Sequence, residues 1–585
     1  MTFMKREYRW TLLPTENRSM VESLAKEINV SPTIASILVH RGITSYDQAK
    51  EFFRPQLTNL HDPFLMDGME AAVRRVLQAI QQKERILIFS DYDVDGTNSA
   101  AMLYLFFKQH LALETIFHIP DRVKEGYGIS ANGIDRGKDF GASLLISVDC
   151  GITAVEQVEY ARSRGIDVII CDHHEPGEEI PSAHAVLDPL KPNCLYPFKH
   201  LCGCGVGFKF MQAIALRTNM ERVIYDYLDF VTLATTADIV PLVGENRVLT
   251  KIGLDQINRS PRPGIRALIE SSGTEIGGIS TGQIVFILAP RINAVGRMGD
   301  ASRAVELLTS EDPVRAREMA QVLEDENKTR RKIDEDTFAK AQELVESISG
   351  PDPAIVLHQE QWHPGVIGIV ASRLVEKYYR PTIMMTTVDG VAKGSARSIV
   401  GFDIHKALKR VEDKLIQFGG HKYAAGLSVA LDQIDEFRKA FNVAVTELMS
   451  EEIRTPELRI DADIELTELN ARFIKILKEF APFGPGNMRP IFRSRTVELV
   501  GTPRIVGKDH LRFKVRQHQQ VFDAIGFGLG SLLEFVKANG KDFDIVFSVD
   551  EHEWLGMNAN HTEVFPQLKI KDIKTHSEGN DHVRS

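Results

Sequence analysis

Aspartates and histidines recur in this sequence at the ends of short apolar runs, in a pattern suited to holding cations. Asp91-Tyr92-Asp93-Val94-Asp95-Gly96 follows Arg85-Ile86-Leu87-Ile88-Phe89, and Asp149-Cys150-Gly151 follows Ser143-Leu144-Leu145-Ile146-Ser147-Val148. Asp172-His173-His174 follows Asp167-Val168-Ile169-Ile170-Cys171, and Asp238 closes the apolar element from Val231 to Ala237. Any one of these acids could be a helix cap or a satisfied core group. Gathered together they would repel one another and resist desolvation unless cations neutralised them. Asp93, Asp95, Asp149, His173, His174 and Asp238 offer a mixed oxygen and nitrogen ligand set that suits Mn²⁺ or Mg²⁺ better than a thiolate zinc site. Two such ions, roughly 3.5–4 Å apart, activate a water and stabilise an in-line phosphoryl displacement.

The elements that must position these groups follow from the same runs. A short, continuously apolar run reads as a parallel strand buried on both faces. Sites in open α/β sheets form outside the carboxyl ends of such strands. From Arg85 to about Val240 the predicted order alternates: helix from Gly96 to His110, strand from Glu114 to Ile119, helix from Thr153 to Arg164. That alternation predicts a doubly wound parallel sheet. Asp67 to Gln82, with helical apolar spacing, leads into the first acidic strand. Gly203-Cys204-Gly205-Val206-Gly207-Phe208-Lys209 superficially resembles a phosphate loop but lacks its full pattern, and tight helix entry is the preferred role.

The chain has 585 residues, 43% hydrophobic and 26% charged, with net charge −10 and five cysteines. That length predicts several domains. No apolar segment approaches the roughly 20 residues that span a bilayer. Met1 to Trp10 carries no secretory pattern, and the few cysteines suit a reducing cytosol, so a cytoplasmic location is expected. Cys194, Cys202 and Cys204 lack paired spacing and read as structural thiols rather than zinc ligands. The acidic balance argues against a simple basic nucleic-acid coat.

The remaining organisation is read as follows: a helical segment over 1–70, the acidic α/β domain over 71–300, and a charged connecting helix over 301–349. A second α/β region covers 350–450, a small β-barrel 451–570 and a polar, disordered tail 571–585. The second region carries two glycine-bearing turns, Gly394-Ser395-Ala396-Arg397-Ser398 and Phe418-Gly419-Gly420-His421. The barrel is predicted from strands at Leu458–Ile464, Ile491–Val500, Leu511–Val515, Val521–Phe527 and Ile545–Val549. Between Gly484 and Gln520 it holds eight cationic residues against two acids, with Phe492 and Phe513 interleaved. Cations for phosphates and π-faces for bases are what a single-strand binder needs. A solvated β face with inward-pointing phenylalanines gives the same pattern.

These motifs resemble the DHH phosphoesterase superfamily, named for Asp172-His173-His174. The matching residues are Asp91 to Gly96, Ser147 to Gly151, the triplet itself and Thr236-Ala237-Asp238. Gly419-Gly420-His421 and Ala424-Ala425-Gly426 resemble its accompanying DHHA1 domain. Arg291 to Met298, Trp362 to Gly368 and Phe483-Gly484-Pro485-Gly486-Asn487 resemble one branch, the bacterial single-stranded-DNA exonucleases. The resemblance covers about Arg85 to Phe565. It implies an α/β fold of two lobes joined by a long helix, with an OB-like C-terminal barrel. It further implies a 5′→3′ exonuclease that releases mononucleotides from single-stranded DNA in recombination and repair, using Mg²⁺ or Mn²⁺.

The resemblance also assigns residues. Asp95, Asp149, His173 and Asp238 would hold one metal, and Asp93, shared Asp149 and Asp91 the other. His174, with Asp172, would lie beside the reacting phosphate. Ser395, Arg397 and His421 would face the metals across a cleft. Arg122 is a candidate for a 5′-phosphate pocket, and Arg373, Arg291, Asn293 and Arg297 are further substrate-binding candidates; each could instead be a surface ion-pair partner. The wider superfamily has His where this chain has Phe89, which puts the first metal's ligand set in question. Single-strand binding protein and a RecQ-type helicase are implied partners, and a monomer is expected. Two rival readings are a phosphoesterase for short oligonucleotides or small phosphorylated substrates, and a replication scaffold without metals.

Overall fold

The computed structural model describes residues 7–14, 17–122, 124–347, 350, 352–555 and 562–576. The chain divides into two units, one of 55–336 with 482–487, the other of 1–54, 337–481 and 488–585.

The first unit is built on a five-stranded parallel sheet. Its strands are β1 (Arg85–Ser90), β2 (Thr115–His118), β3 (Ala142–Val148), β4 (Asp167–Cys171) and β5 (Ala185–Leu187), in the order β2-β1-β3-β4-β5. Alternate residues serve opposite layers. Ile86, Ile88, Leu144, Ile146 and Ile169 join the larger core, whereas Leu87, Leu145, Val168 and Ile170 join a second core on the other face. Both faces are covered, which is why the strands read as continuous apolar runs rather than alternating ones. Each fully buried Leu, Ile or Phe contributes roughly 1.5–3 kcal/mol relative to an exposed one.

Three helices bear on the site: α1 (Val94–Gln109), α2 (Gly203–Thr218) and α3 (Leu228–Ala237). The glycine-rich stretch is therefore the entry to α2, as expected. Its Lys209 is buried and donates to the His61 carbonyl at 2.6 Å and to Glu245 at 3.2 Å. Glu245 also accepts from the Tyr196 hydroxyl at 2.6 Å. Lys209 is thus committed to a structural network. α4 (Ala289–Met298) continues a helix that begins at Thr281 and widens into a π-turn over Ile284–Leu288. Pro290 lacks the N–H that an α-helical turn would use there. The Ala289 N–H bonds the Ile284 carbonyl instead, and Arg291 reaches back to the Ile287 carbonyl.

The charged connection is a short helix, Ser302–Thr309, followed by α5 (Pro313–Ser347). The boundary between the units falls within α5, at Asp336. The charge of this connection is not all on its surface. Glu324, Asn327, Arg330 and Asp334 form a buried polar stripe along it, and Arg291 Nε lies 2.6 Å from Glu324.

In the second unit, β6 (Ile355–His358), β7 (Thr382–Val388), β8 (Val391–Arg397), β9 (Gln417–Gly420) and β10 (Ala424–Ala430) form a sheet in the order β9-β10-β8-β7-β6. The two stretches read as glycine-bearing turns are instead largely strand, β8 and β9, with His421 in the turn leading to β10. The barrel is closed by β11 (Phe492–Val506), β12 (His510–Gln517), β13 (Gln520–Gly526), β14 (Phe543–Leu555) and β15 (Thr562–Thr575), with β14 pairing back to β11. Two expectations change here. Glu457–Ile460 pairs in parallel with Arg9–Leu12, so of the first expected strand only Ala462–Asp463 joins the barrel sheet, beside Phe492–Arg493, and β15 supplies the closing strand. Lys571 to Thr575 belongs to β15; the remainder of the expected tail, beyond His576, lies outside the described residues.

Candidate metal centre

Register brings the acids together. Ser90 pairs with Val148, Val148 with Cys171, and Cys171 with Leu187. The residues that follow, Asp91, Asp149, Asp172 and Asp188, therefore emerge in one row at the carboxyl edge of the sheet. The strand order reverses between β1 and β3, the switch point at which open α/β sheets bind ligands. Asp93 caps α1 by accepting from the Gly96 N–H at 3.1 Å. Gly96 has to be glycine, since a Cβ there would stand 2.3 Å from the Asp91 carbonyl oxygen. Asp238 differs in origin: the C-terminus of α3, not a strand, delivers it.

Asp95 is held by the start of α2. The Gly203 and Cys204 N–H groups donate to its two oxygens at 2.6 and 2.8 Å, using donors that every helix N-terminus leaves free. His173 Nε2 stands 3.1 Å from Asp149, 3.8 Å from Asp95 and 3.9 Å from Asp238. Asp149 sits at φ +62°, a left-handed conformation costly for a residue with a side chain and often found at functional sites. The ligand atoms converge in overlapping groups: Asp95, His173 and Asp238; Asp91, Asp93 and Asp149; and Asp149, His173 and His174. Phe89 is buried against His118 and Gly133 and offers no ligand atom, whereas Asp91 converges with Asp93 and Asp149.

Electrostatics support cation binding. Burial, followed by the neighbouring carboxylates, pushes Asp91 and Asp149 well above the usual carboxylate range. The same causes push Asp95 up to about 6 and Asp238 up to about 9. Burial lowers His173 to about 4, leaving a neutral imidazole ready to ligate. One Asp91 oxygen is buried with no partner among the described residues. An all-oxygen and imidazole donor set with this unmet charge fits Mn²⁺ or Mg²⁺.

His174 stands apart. Its Nδ1–H donates to Asp172 at 2.7 Å. Burial opposes its charge, but that hydrogen bond and the Asp172 charge raise it to about 9. Asp172 also accepts from the Ile152 and His173 N–H groups. Sequence reasoning missed Tyr127, whose hydroxyl donates to the Asp149 carbonyl at 3.2 Å and lies 3.4 Å from the His174 ring nitrogens. It also missed Asp188, fully buried and pushed up to about 7 chiefly by burial. Its signal was Ala185-Val186-Leu187 ending in an acid, the same grammar in a strand of three residues.

The other candidates distribute as follows. The Arg122 guanidinium stacks on Tyr92, 3.9 Å from the ring centroid, and its Nε has no partner among the described residues. Arg297 lies close enough to Tyr92 to act on its hydroxyl, which burial and Asp91 push up to about 12. Asn293 is half-buried on α4, and Arg291 is buried against Glu324. In the second unit Arg397 donates to the Ser395 hydroxyl at 2.8 Å, and Gly368 leaves both side chains room. His421 lies at the same sheet end, because Arg397 pairs with Ala424, whose carbonyl accepts from the His421 N–H. The Arg373 guanidinium covers Phe338 at 4.0 Å.

On the barrel, Phe492 and Phe513 point into the core, so they are not stacking platforms. Of the eight cations, Arg493 and Arg495 pair with Asp463, Arg516 with Glu498 and Arg489 with Asp550. Arg504 and Arg512 are cross-strand partners, and Lys514 alternates outward with Arg512 along β12. Phe527, exposed and edge-on to His510, is an aromatic that sequence reasoning missed.

Comparison with known proteins agrees with this architecture. Residues 85–235 match the DHH family N-terminal domain, 352–447 the DHHA1 domain, and 460–572 the RecJ OB domain. The chain is 37% identical over 567 residues to the single-stranded-DNA-specific exonuclease RecJ of Bacillus subtilis, covering 96% of this chain and 70% of that one. It is 32% identical over 579 residues to the Escherichia coli protein of the same name, covering 95% and 96%. The crystal structure of RecJ from Thermus thermophilus in complex with Mn²⁺ superposes with a TM-score of 0.82 at 27% identity, covering 97% of this chain and 80% of that one.

Proposed function

This chain belongs to the RecJ family of single-stranded-DNA-specific exonucleases, and on that premise we propose that it hydrolyses single-stranded DNA from the 5′ end to mononucleotides. The observation that carries the reading is the row of strand-end acids converging on Asp149 with His173 and Asp238. When bound, divalent ions would supply an acidified water and neutralise charge on the phosphate. Asp95, Asp149, His173 and Asp238 would hold one, and Asp91, Asp93 and Asp149 the other.

The protein groups have their own work. Asp172 fixes the His174 ring, which keeps its proton at neutral pH and can orient a phosphate oxygen or pass that proton to the leaving group. Arg122, stacked on Tyr92, is suited to a terminal phosphate. Arg397 and Ser395 offer a second phosphate a guanidinium and a hydroxyl on neighbouring positions of one strand, with His421 at the same sheet end. The outward cations of β11 and β12 suit a strand's backbone. A cytoplasmic location, a monomeric state, and a single-strand binding protein and RecQ-type helicase as partners complete the proposal. No helix among the described residues is long and apolar enough to cross a membrane.

The test is Mn²⁺-dependent digestion of single-stranded DNA labelled at either end, with Asp149→Ala alongside. Early release of the 5′ label as a mononucleotide, with a dead variant that still binds DNA, supports the reading. Hydrolysis of a dinucleotide or pyrophosphate with long DNA untouched would favour a small-substrate phosphoesterase.

A further inference from the structure

The helix that carries Arg297 also carries an exposed aromatic that nothing above uses. Phe286 lies in the π-turn over Ile284–Leu288 and is 76% exposed, an unusual position for so large an apolar ring. π-turns inside helices occur often at functional sites. Phe286, Pro290 and Arg297 are spaced by four and by eleven residues, close to one and three whole turns, and so fall on one side of the helix. At the other end α4 abuts the metal centre: a Cβ on Gly296 would stand 2.7 Å from the Tyr92 carbonyl, and Tyr92 lies between Asp91 and Asp93.

We propose that Phe286 is a stacking platform for one base of the single-stranded substrate, on the 3′ side of the reacting phosphate. This rests on the exonuclease reading. Eleven residues at about 1.5 Å rise separate Phe286 from Arg297 by roughly 16 Å. At about 3.4 Å per stacked nucleotide, or more when extended, that span reaches the third to fifth base from the 5′ end. Base–aromatic stacking tolerates any sequence, because every base has a π-face. A platform of this kind lets a non-specific exonuclease hold its strand in register between cleavages.

The test is single-turnover release of the first nucleotide from a Mn²⁺-loaded, full-length protein. Substrates are oligo(dT) strands carrying one abasic site at each position from two to seven. In wild type, an abasic site at one of positions three to five should weaken apparent DNA affinity about tenfold. In Phe286→Ala, affinity for intact strands should fall about tenfold, and that positional penalty should vanish, as a double-mutant cycle requires. Phe286→Trp should restore both, and cleavage of a dinucleotide should be unchanged in every variant. Because the ring is exposed, the substitution leaves the core intact. If Phe286→Ala matches wild type, or keeps the positional penalty, the platform is refuted while the exonuclease reading stands. If wild type releases no nucleotide from long strands, the exonuclease reading and the platform fall together.

Discussion

The Nδ1–H of His174 donates to Asp172 at 2.7 Å, while the neighbouring His173 turns its Nε2 toward Asp149 at 3.1 Å. Two adjacent histidines thus receive opposite protonation. Burial leaves His173 neutral, at about 4, and Asp172 keeps His174 charged, at about 9. Asp172→Asn should therefore lower kcat by about 10²–10⁴, the usual worth of a positioned acid or base. It should also move the alkaline limb of the pH–rate profile from near 9 toward the ordinary histidine value of about 6.5. A variant with reduced rate and an unmoved limb would mean that Asp172 acts only through the backbone groups it also binds.

Gly203→Ala should be as damaging as loss of a ligand, although glycine ligates nothing. The added Cβ would stand 2.5 Å from Asp149 Cβ and 2.7 Å from its Cα, and would push α2 off Asp95. Mn²⁺ affinity, measured by titration calorimetry, should fall at least tenfold. Substitutions that disturb the groups orienting a metal's ligands commonly have effects of about 10–100-fold. Wild-type affinity in the variant would show that α2 has room to retreat.

Stability of the metal-free protein should decline as pH rises. Asp95 and Asp238 have folded-state values of about 6 and about 9, above the roughly 3.9 of an unfolded aspartate. Between those limits the folded state binds more protons than the unfolded one, so unfolding free energy falls with pH across about 4 to 9. Cations replace those protons. The Tm gap between Mn²⁺-loaded and EDTA-treated protein should therefore widen from about pH 5 to about pH 9. A constant gap would show that the acids do not share one electrostatic site.

Arg512→Ala and Lys514→Ala on β12 should weaken single-stranded DNA binding uniformly across sequences. Each should reduce the slope of log affinity against log salt by about 0.7, the value for one phosphate contact on a single strand. Arg493→Ala should leave the slope unchanged but destabilise the barrel, because its guanidinium is buried against Asp463. Equal slopes for all three variants would place the DNA elsewhere.

The parallel sheet was legible because both of its faces are buried, which leaves runs such as Leu144 to Val148 with almost no polar interruption. The metal acids were legible for the same reason, standing where those runs stop. What stayed hidden depends on pairing at a distance. Asp238 follows an apolar run like the others, yet that run is α3. The direction of Phe492 and Phe513 depends on which face of the barrel is inside, a choice that one register step reverses. The commitment of Arg493 to Asp463 is equally invisible in a count of charges. Asp188 escaped notice because three residues give too little pattern to read.

The parallel pairing of Arg9–Leu12 with Glu457–Ile460, and the Trp10 indole N–H donating to Asp572, tie together positions up to 562 residues apart in the chain. On a ribosome adding about 5–20 residues per second, Trp10 waits roughly 30–110 s before its acceptor exists. The five strands of the parallel sheet, all within 85–187, are made long before then. The order of assembly is therefore not the order of synthesis. The Trp10–Asp572 bond closes only after every strand of the metal-bearing sheet has been made.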